Sequence, residues 1–347
     1  MKKTGVIIGF GGMGGWHGNH MLKSDVVRLK GIVDIDPKRD EAAAEKGIFA
    51  YPSKEAALAD REVDFVTIAV PNDVHKSLVI EALAAGKHVI CEKPATLSLA
   101  DLDEMIAASE KYGKLFTVHQ NRRWDPDFLM TKQAYDSGEL GEVFRLESRV
   151  QGSRGIPGDW RGKPECGGGM ILDWGVHLID QVLQIIKNDI ARIYCRCEHI
   201  TNYAVDDGFS LDILFRETGV ARIEVGTSNF ISLPRFYLAG ANGGAMVGDW
   251  REKCRVVCCK NWDEKDVIPV VTAAGLTKTM APRNEKTVTE YEIERPEPDV
   301  HDFYRNFCAA MDGREKQIVT HDQLRLVMRV MEAAFESDRQ GQVINFK

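Results

Sequence analysis

Five short apolar runs, each separated from the next by a helix-length segment, divide the first 120 residues of this chain. The runs at 4–9, 29–34, 64–70, 88–91 and 115–118 are rich in β-branched residues and bounded by turn signals, the pattern of short buried strands. The segments at 14–23, 37–46, 74–85 and 98–112 read as helices, with Pro37 suited to a first turn. Gly47, Gly86 and Gly113 fall where helix C-caps are expected. Parallel strands need crossover connections, so this alternation specifies a doubly wound parallel α/β sheet.

After about residue 120 the pattern changes. Strands are expected at 144–150, 192–198, 209–215, 220–226 and 236–238, mostly without helices between them. That order implies an open, mostly antiparallel sheet with helices on one side. Segments 127–136, 170–186, 299–311 and 323–339 supply those helices. The stretch 262–298, rich in Lys, Glu, Thr and Pro, reads as edge strand and surface loop. Two domains are therefore expected: a parallel α/β domain over 1–120 and an α+β domain over 121–347.

Composition narrows the partners. A formal charge of −7 argues against nucleic acid, whose backbone requires a concentrated positive footprint. The N-terminal apolar run is broken by glycines before it reaches signal-peptide length, and no run approaches a membrane span. The eight cysteines lack paired C-x-x-C spacing, so neither a structural zinc nor a disulfide framework is expected. Free thiols in a reducing cytoplasm fit better.

Gly9-Phe10-Gly11-Gly12-Met13-Gly14 closes the first strand and opens the first helix. In that context Gly9 allows a tight turn, Gly11 lets backbone approach a pyrophosphate, and Gly14 permits close helix–strand packing. The phosphates would lie over amide groups that have no partner at the helix start. Asp34 ends the second strand, where a carboxylate accepts ribose hydroxyls and repels a 2′-phosphate, favouring NAD over NADP despite nearby Lys38 and Arg39. The strand end at Val70-Pro71-Asn72, followed by His75, also faces the expected cofactor cleft.

Lys93 follows the fourth expected strand and precedes Pro94, which keeps its backbone extended. Downstream, Asp173, His177, Asp180 and Gln184 fall at i, i+4, i+7 and i+11 on an otherwise apolar helix. A solvated face would carry Lys and Glu; this stripe has neither and reads as cleft-facing. A metal pair from Asp173 and His177 lacks a third histidine and has a lysine as neighbour. The set instead suits alcohol oxidation. His177 would take the proton, Asp173 would bond the substrate and bias the histidine, and Lys93 would steady developing negative charge on oxygen.

These motifs together (Gly9–Gly14, Glu92-Lys93-Pro94 and Gly168-Gly169…Asp173…His177) resemble the Gfo/Idh/MocA family of NAD(P)-dependent sugar and polyol dehydrogenases. The likeness runs over essentially the whole chain. It implies an N-terminal Rossmann domain and a C-terminal α+β domain whose open sheet often forms a dimer or tetramer interface. It implies that Lys93, Asp173 and His177 are catalytic, with a cis bond before Pro94. Ile35 and Glu92 join the implied cofactor contacts, as do Trp160 and Arg161; Arg123 and Asp125 are implied at the substrate pocket. The expected reaction is NAD-dependent oxidation of a ring secondary alcohol of a sugar, glycoside or cyclic polyol. Two competitors remain: a glycosidase with internal NAD redox, and a non-catalytic NAD-binding regulator, which would have no need of the Lys–Asp–His set. Cys258-Cys259 has no functional account.

Overall fold

The computed structural model describes residues 1–263 and 267–346. The first half runs β1 (Lys3–Ile8), α1 (Gly12–Met21), β2 (Val27–Val33), α2 (Pro37–Ala44), β3 (Phe49–Ala50), α3 (Lys54–Ala59) and β4 (Phe65–Ile68). It continues with α4 (His75–Ala84), β5 (His88–Cys91), α5 (Leu99–Tyr112) and β6 (Phe116–Val118). The six strands form one parallel sheet in the order β3-β2-β1-β4-β5-β6. Helices cover both faces, which is why Val6, Ile7, Phe65, Val66, Val89 and Ile90 are all 0% exposed. β3 and α3 go beyond the expected elements, because two and six residues are too short to show a period. The chain leaves β1 toward β2 and β3, then returns to place β4 on the other side of β1. The carboxyl ends of β1 and β4 thus flank the point where strand order reverses, the place where such sheets open a ligand crevice.

The second half contains α6 (Pro126–Asp136), β7 (Val143–Gln151), a π-helical turn (Ile171–Gly175), α7 (Val176–Ile185), β8 (Ile190–Glu198), β9 (Gly208–Phe215) and β10 (Val220–Gly226). Then come β11 (Phe236–Gly240), β12 (Gly243–Val247), β13 (Cys254–Cys259), β14 (Val270–Thr272), β15 (Gly275–Thr277), β16 (Val288–Ile293), α8 (Asp302–Met311), α9 (His321–Gln340) and β17 (Ile344–Asn345). Nine strands pair in the order β16-β13-β12-β11-β7-β10-β9-β8-β17, and every pair is antiparallel except β7 with β10. Side chains alternate in burial along much of this sheet, with breaks in β7 and β8. Leu146, Leu211, Ile213, Ala221, Ile223 and Leu238 are 0% exposed, while Arg145, Glu147, Asp212, Arg222 and Glu224 lie on the open face. Of the expected 262–298 edge-and-loop stretch, β16 takes one sheet edge and β14–β15 form a separate hairpin; residues 264–266 lie outside the described residues.

Helix α8 crosses back to the first sheet. Phe307 packs edge-on against Phe65 with ring centres 5.5 Å apart, and Phe303 meets His119 at 4.8 Å. These contacts bury Phe303, Tyr304 and Phe307 to 2% exposure or less. Among the described residues no helix is long and apolar enough to cross a membrane, and all eight cysteines are free thiols.

Candidate active site

The glycine turn after β1 is shaped for close approach. Gly9 has φ +90°, and a side chain there would meet the Ala69 carbonyl oxygen at 2.4 Å. At Gly14 a Cβ would lie 1.9 Å from the Gly9 oxygen, so α1 can begin this near β1 only with glycine. Gly11 and Gly12 face open space, and α1 starts without a side-chain cap. Unpaired amides over an open cradle fit a pyrophosphate. Asp34 Oδ2 accepts from Phe10 N at 2.6 Å and Oδ1 from Asp36 N at 2.9 Å, which locks the turn while leaving lone pairs for ribose hydroxyls. Ile35 beside it is fully exposed, an apolar surface suited to a flat base.

Further along the same sheet edge, the other expected cofactor residues separate into surface and support. Val70 and Pro71 line the strand end, with Pro71 exposed. Asn72 is buried and donates to the Gly167 carbonyl at 3.1 Å, tying the first sheet to the downstream glycine run. His75 is 0% exposed, with one ring nitrogen 3.0 Å from Pro94 O and the other 2.9 Å from Val70 O. It braces the two strand ends.

Lys93 and Asp173, eighty positions apart, meet at this edge. The Lys93–Pro94 bond is cis, and Lys93 Nζ donates to Asp173 Oδ1 at 2.8 Å and to the Asp173 carbonyl at 2.9 Å. Arg161 Nε donates to the second carboxylate oxygen at 2.9 Å. Burial pushes the Asp173 carboxyl up, but Lys93 and Arg161 more than offset it and hold it below its ordinary value. Arg161 also bonds Asp159 and stacks on Trp160, so the loop before the glycine run is anchored on Asp173.

His177 is 4% exposed, and its Nδ1 has no hydrogen-bond partner. Burial first, then the charges of Lys93 and Arg122, hold its pKa well below the ordinary value, so the ring is neutral at physiological pH. The Asp173 oxygens are taken by Lys93 and Arg161, while the Glu92 carboxylate opposes the two cations at His177.

The four-residue polar stripe does not stay on one face. The π turn at Ile171–Gly175 shifts the helical phase between Asp173 and the residues beyond it. Asp180 instead pairs with Arg123, whose guanidinium donates to it at 2.6 and 2.7 Å and also to Ile318 O and Gln323 Oε1. Gln184 lies in a separate cleft of about 470 Å³ with Lys187, Arg216 and Phe346. Arg123 therefore faces away from Lys93, and its neighbour Arg122 takes the inward place. Arg122 Cζ lies 4.1 Å from the Trp174 ring centre and 5.6 Å from Trp250, and Arg122 pairs with Asp125 at 2.9 Å. Asp125 joins the site through that pair. Arg122, Trp174 and Trp250 carry no periodic signal of their own; only adjacency to Arg123 and Asp173 could have drawn attention to the first two.

Residues 3–120 match the Gfo/Idh/MocA oxidoreductase family with its NAD-binding Rossmann fold, and residues 128–246 match the Gfo/Idh/MocA C-terminal domain. The chain belongs to this family. A crystal structure of an NAD-binding protein from Listeria innocua superposes with a TM-score of 0.95 at 41% identity, covering 99% of this chain and 100% of that one. An uncharacterized oxidoreductase of Schizosaccharomyces pombe is 39% identical over 145 residues, which is 41% of this chain and 39% of the relative. The match thus spans about two fifths of that relative's length. The scyllo-inositol 2-dehydrogenase (NADP(+)) of Bacillus subtilis is 26% identical over 348 aligned positions, covering 97% of this chain and 94% of the relative. As a Gfo/Idh/MocA protein, the chain carries an NAD(P)-binding Rossmann domain.

Proposed function

We propose that this Gfo/Idh/MocA protein is a dehydrogenase that oxidises a ring secondary alcohol of a cyclic polyol, sugar or glycoside, with NAD as its preferred cofactor. The observation that carries this reading is a neutral, buried His177 with an unpartnered Nδ1, next to an ordered Lys93–Asp173 pair on the cofactor edge of the sheet. The chemistry that a bound nicotinamide would supply is hydride acceptance from the carbinol carbon. Lys93 holds the substrate oxygen and favours its anionic form. His177 takes the hydroxyl proton, as a neutral imidazole must to act as base. Asp173 orients Lys93 and offers an oxygen to a neighbouring hydroxyl. The Bacillus subtilis relative's name points to inositols.

The first 120 residues would hold the cofactor and the remainder the substrate. The open sheet face, with Arg149 paired to Glu147 and Glu224, would join two or four copies. Eight free thiols suit the cytoplasm.

The test is NADH formation with inositols, hexoses and glucosides, NADP run in parallel. Stoichiometric NADH from one class supports the proposal. Release of an aglycone without net NADH overturns it in favour of internal redox. Asp34 should make kcat/KM at least tenfold higher with NAD than with NADP, and Asp34→Ala should narrow the gap. A strong NADP preference in the unmodified protein would defeat the cofactor assignment.

A further inference from the structure

Behind Lys93 lies a polar cluster that the reaction above does not use. Glu92 Oε1 stands 2.8 Å from His17 Nε2 and 2.8 Å from His119 Nδ1, and Glu92 Oε2 accepts from Lys93 N at 3.2 Å. The second nitrogen of His17 meets Tyr304 Oη at 2.5 Å. His17, His119 and Tyr304 are 0% exposed and Glu92 is 5% exposed. The four side chains come from four elements: α1, the end of β5, the end of β6, and α8.

The protonation pattern follows from the geometry. Burial pushes the Glu92 carboxyl up, yet His119 and His17 overcome it and hold it well below its ordinary value, so it is ionised. An ionised carboxylate has no proton to give, so both facing ring nitrogens donate. His17, its pKa lowered to about 4, is neutral, and its other nitrogen accepts from Tyr304, whose phenol is held well above its ordinary range. A lone buried carboxylate would protonate instead. Three donors keep this one charged.

We infer that His17, Glu92, His119 and Tyr304 form a positioning unit that keeps a permanent negative charge directly behind Lys93, fixing the lysine and keeping His177 able to accept a proton. The groups acting on His177 are Lys93 and Arg122, which lower its proton affinity, Glu92, which raises it, and His119, which lowers it. Glu92 thus opposes these two cations. It also links α1, which opens at the dinucleotide cradle, to the residue that holds the substrate oxygen. The trio has a metal-like composition, with its donor atoms all within 4.8 Å. Two nitrogens at hydrogen-bond distance from a single oxygen describe donors on an acceptor, and Tyr304 bonds the far side of His17.

This inference rests on the dehydrogenase reading, and its test separates the two. Glu92→Gln keeps the shape and one acceptor oxygen for the two histidines, removes the charge, and places an amide NH2 where Oε2 accepts from Lys93 N. In the full-length protein with NAD present, the His177 ring is titrated by NMR, assigned with His177→Asn. The His177 pKa is expected to fall by about one unit in Glu92→Gln. That readout needs no substrate, so it stands even if no polyol is turned over. With a substrate, kcat should fall about 10- to 100-fold while KM changes less than threefold. Leucine at either histidine should reproduce the loss. His119→Asn and His17→Gln, which return an N–H to the same positions, should recover most of it. A Glu92→Gln protein that folds with unchanged His177 titration overturns the inference. So does purified protein that retains one equivalent of zinc on these residues.

Discussion

Lys93 and Arg123 look alike in the sequence, each a cation close after a strand, and the structure separates them by what they face. Lys93 ends on Asp173 at the cofactor edge, whereas Arg123 spends its donors on Asp180, Ile318 O and Gln323. Lys93→Ala leaves Asp173 still held by Arg161, so the fold should survive. The loss should appear in kcat, about 10²- to 10³-fold, as expected when one donor to a developing oxyanion is removed. Near-normal turnover by Lys93→Ala would remove the lysine from the mechanism. Arg123→Ala should do the reverse. Asp180, its side chain 3% exposed, would be left as an unpaired buried charge, costing about 3–5 kcal/mol in urea unfolding with KM nearly unchanged. A raised KM at unaltered stability would return Arg123 to the substrate pocket.

At the scale of the element, the turn that presents Asp173 depends on Asp206. Its Oδ2 accepts from Ile171 N at 2.8 Å at the start of the π turn, and burial pushes its carboxyl up to about 7. A carboxyl that holds its proton more tightly folded than unfolded stabilises the fold only while protonated. Stability should therefore decline as pH rises from about 4 to about 7, by up to roughly 4 kcal/mol for this group alone. Asp206→Asn keeps an acceptor for Ile171 and carries no charge, so it should flatten that decline and melt higher than the unmodified protein at pH 8. Equal melting temperatures at pH 8 would count against a raised Asp206 pKa. The same turn explains what the sequence could and could not disclose. The parallel sheet was legible because β1, β4, β5 and β6 are largely buried apolar runs between helices, and Lys93, Asp173 and His177 were legible as residue types in a motif. The fate of Asp180 and Gln184 was not, because a 3.6-residue period cannot register a π turn. β12 and β13 escaped for a different reason. Gly243–Val247 and Cys254–Cys259 are short, and glycine and cysteine give no clear alternation.

Across the whole molecule, the two sheets are joined by more than a linker. Helix α8 is reached only after eight of the second sheet's nine strands, yet Phe303, Tyr304 and Phe307 fill the first sheet's core against His119, His17 and Phe65. Asn72 holds Gly167, Lys93 holds Asp173, and α9 returns Glu332 to Leu99 N and Arg325 to Asp103. Opening the first sheet would expose apolar surface that belongs to the C-terminal segment, so neither half should unfold alone. The protein should therefore melt in one transition, with far-UV and near-UV signals coinciding. NAD at 100 times its Kd should add about 2.7 kcal/mol to that single transition. The increment should reach amides the cofactor cannot touch: slow hydrogen exchange in β9 and β10 should become more protected by the same amount as in β1 and β4. If NAD protected only the first sheet, or if two separated transitions appeared, the shared core under α8 would not be the element that couples cofactor binding to the second sheet.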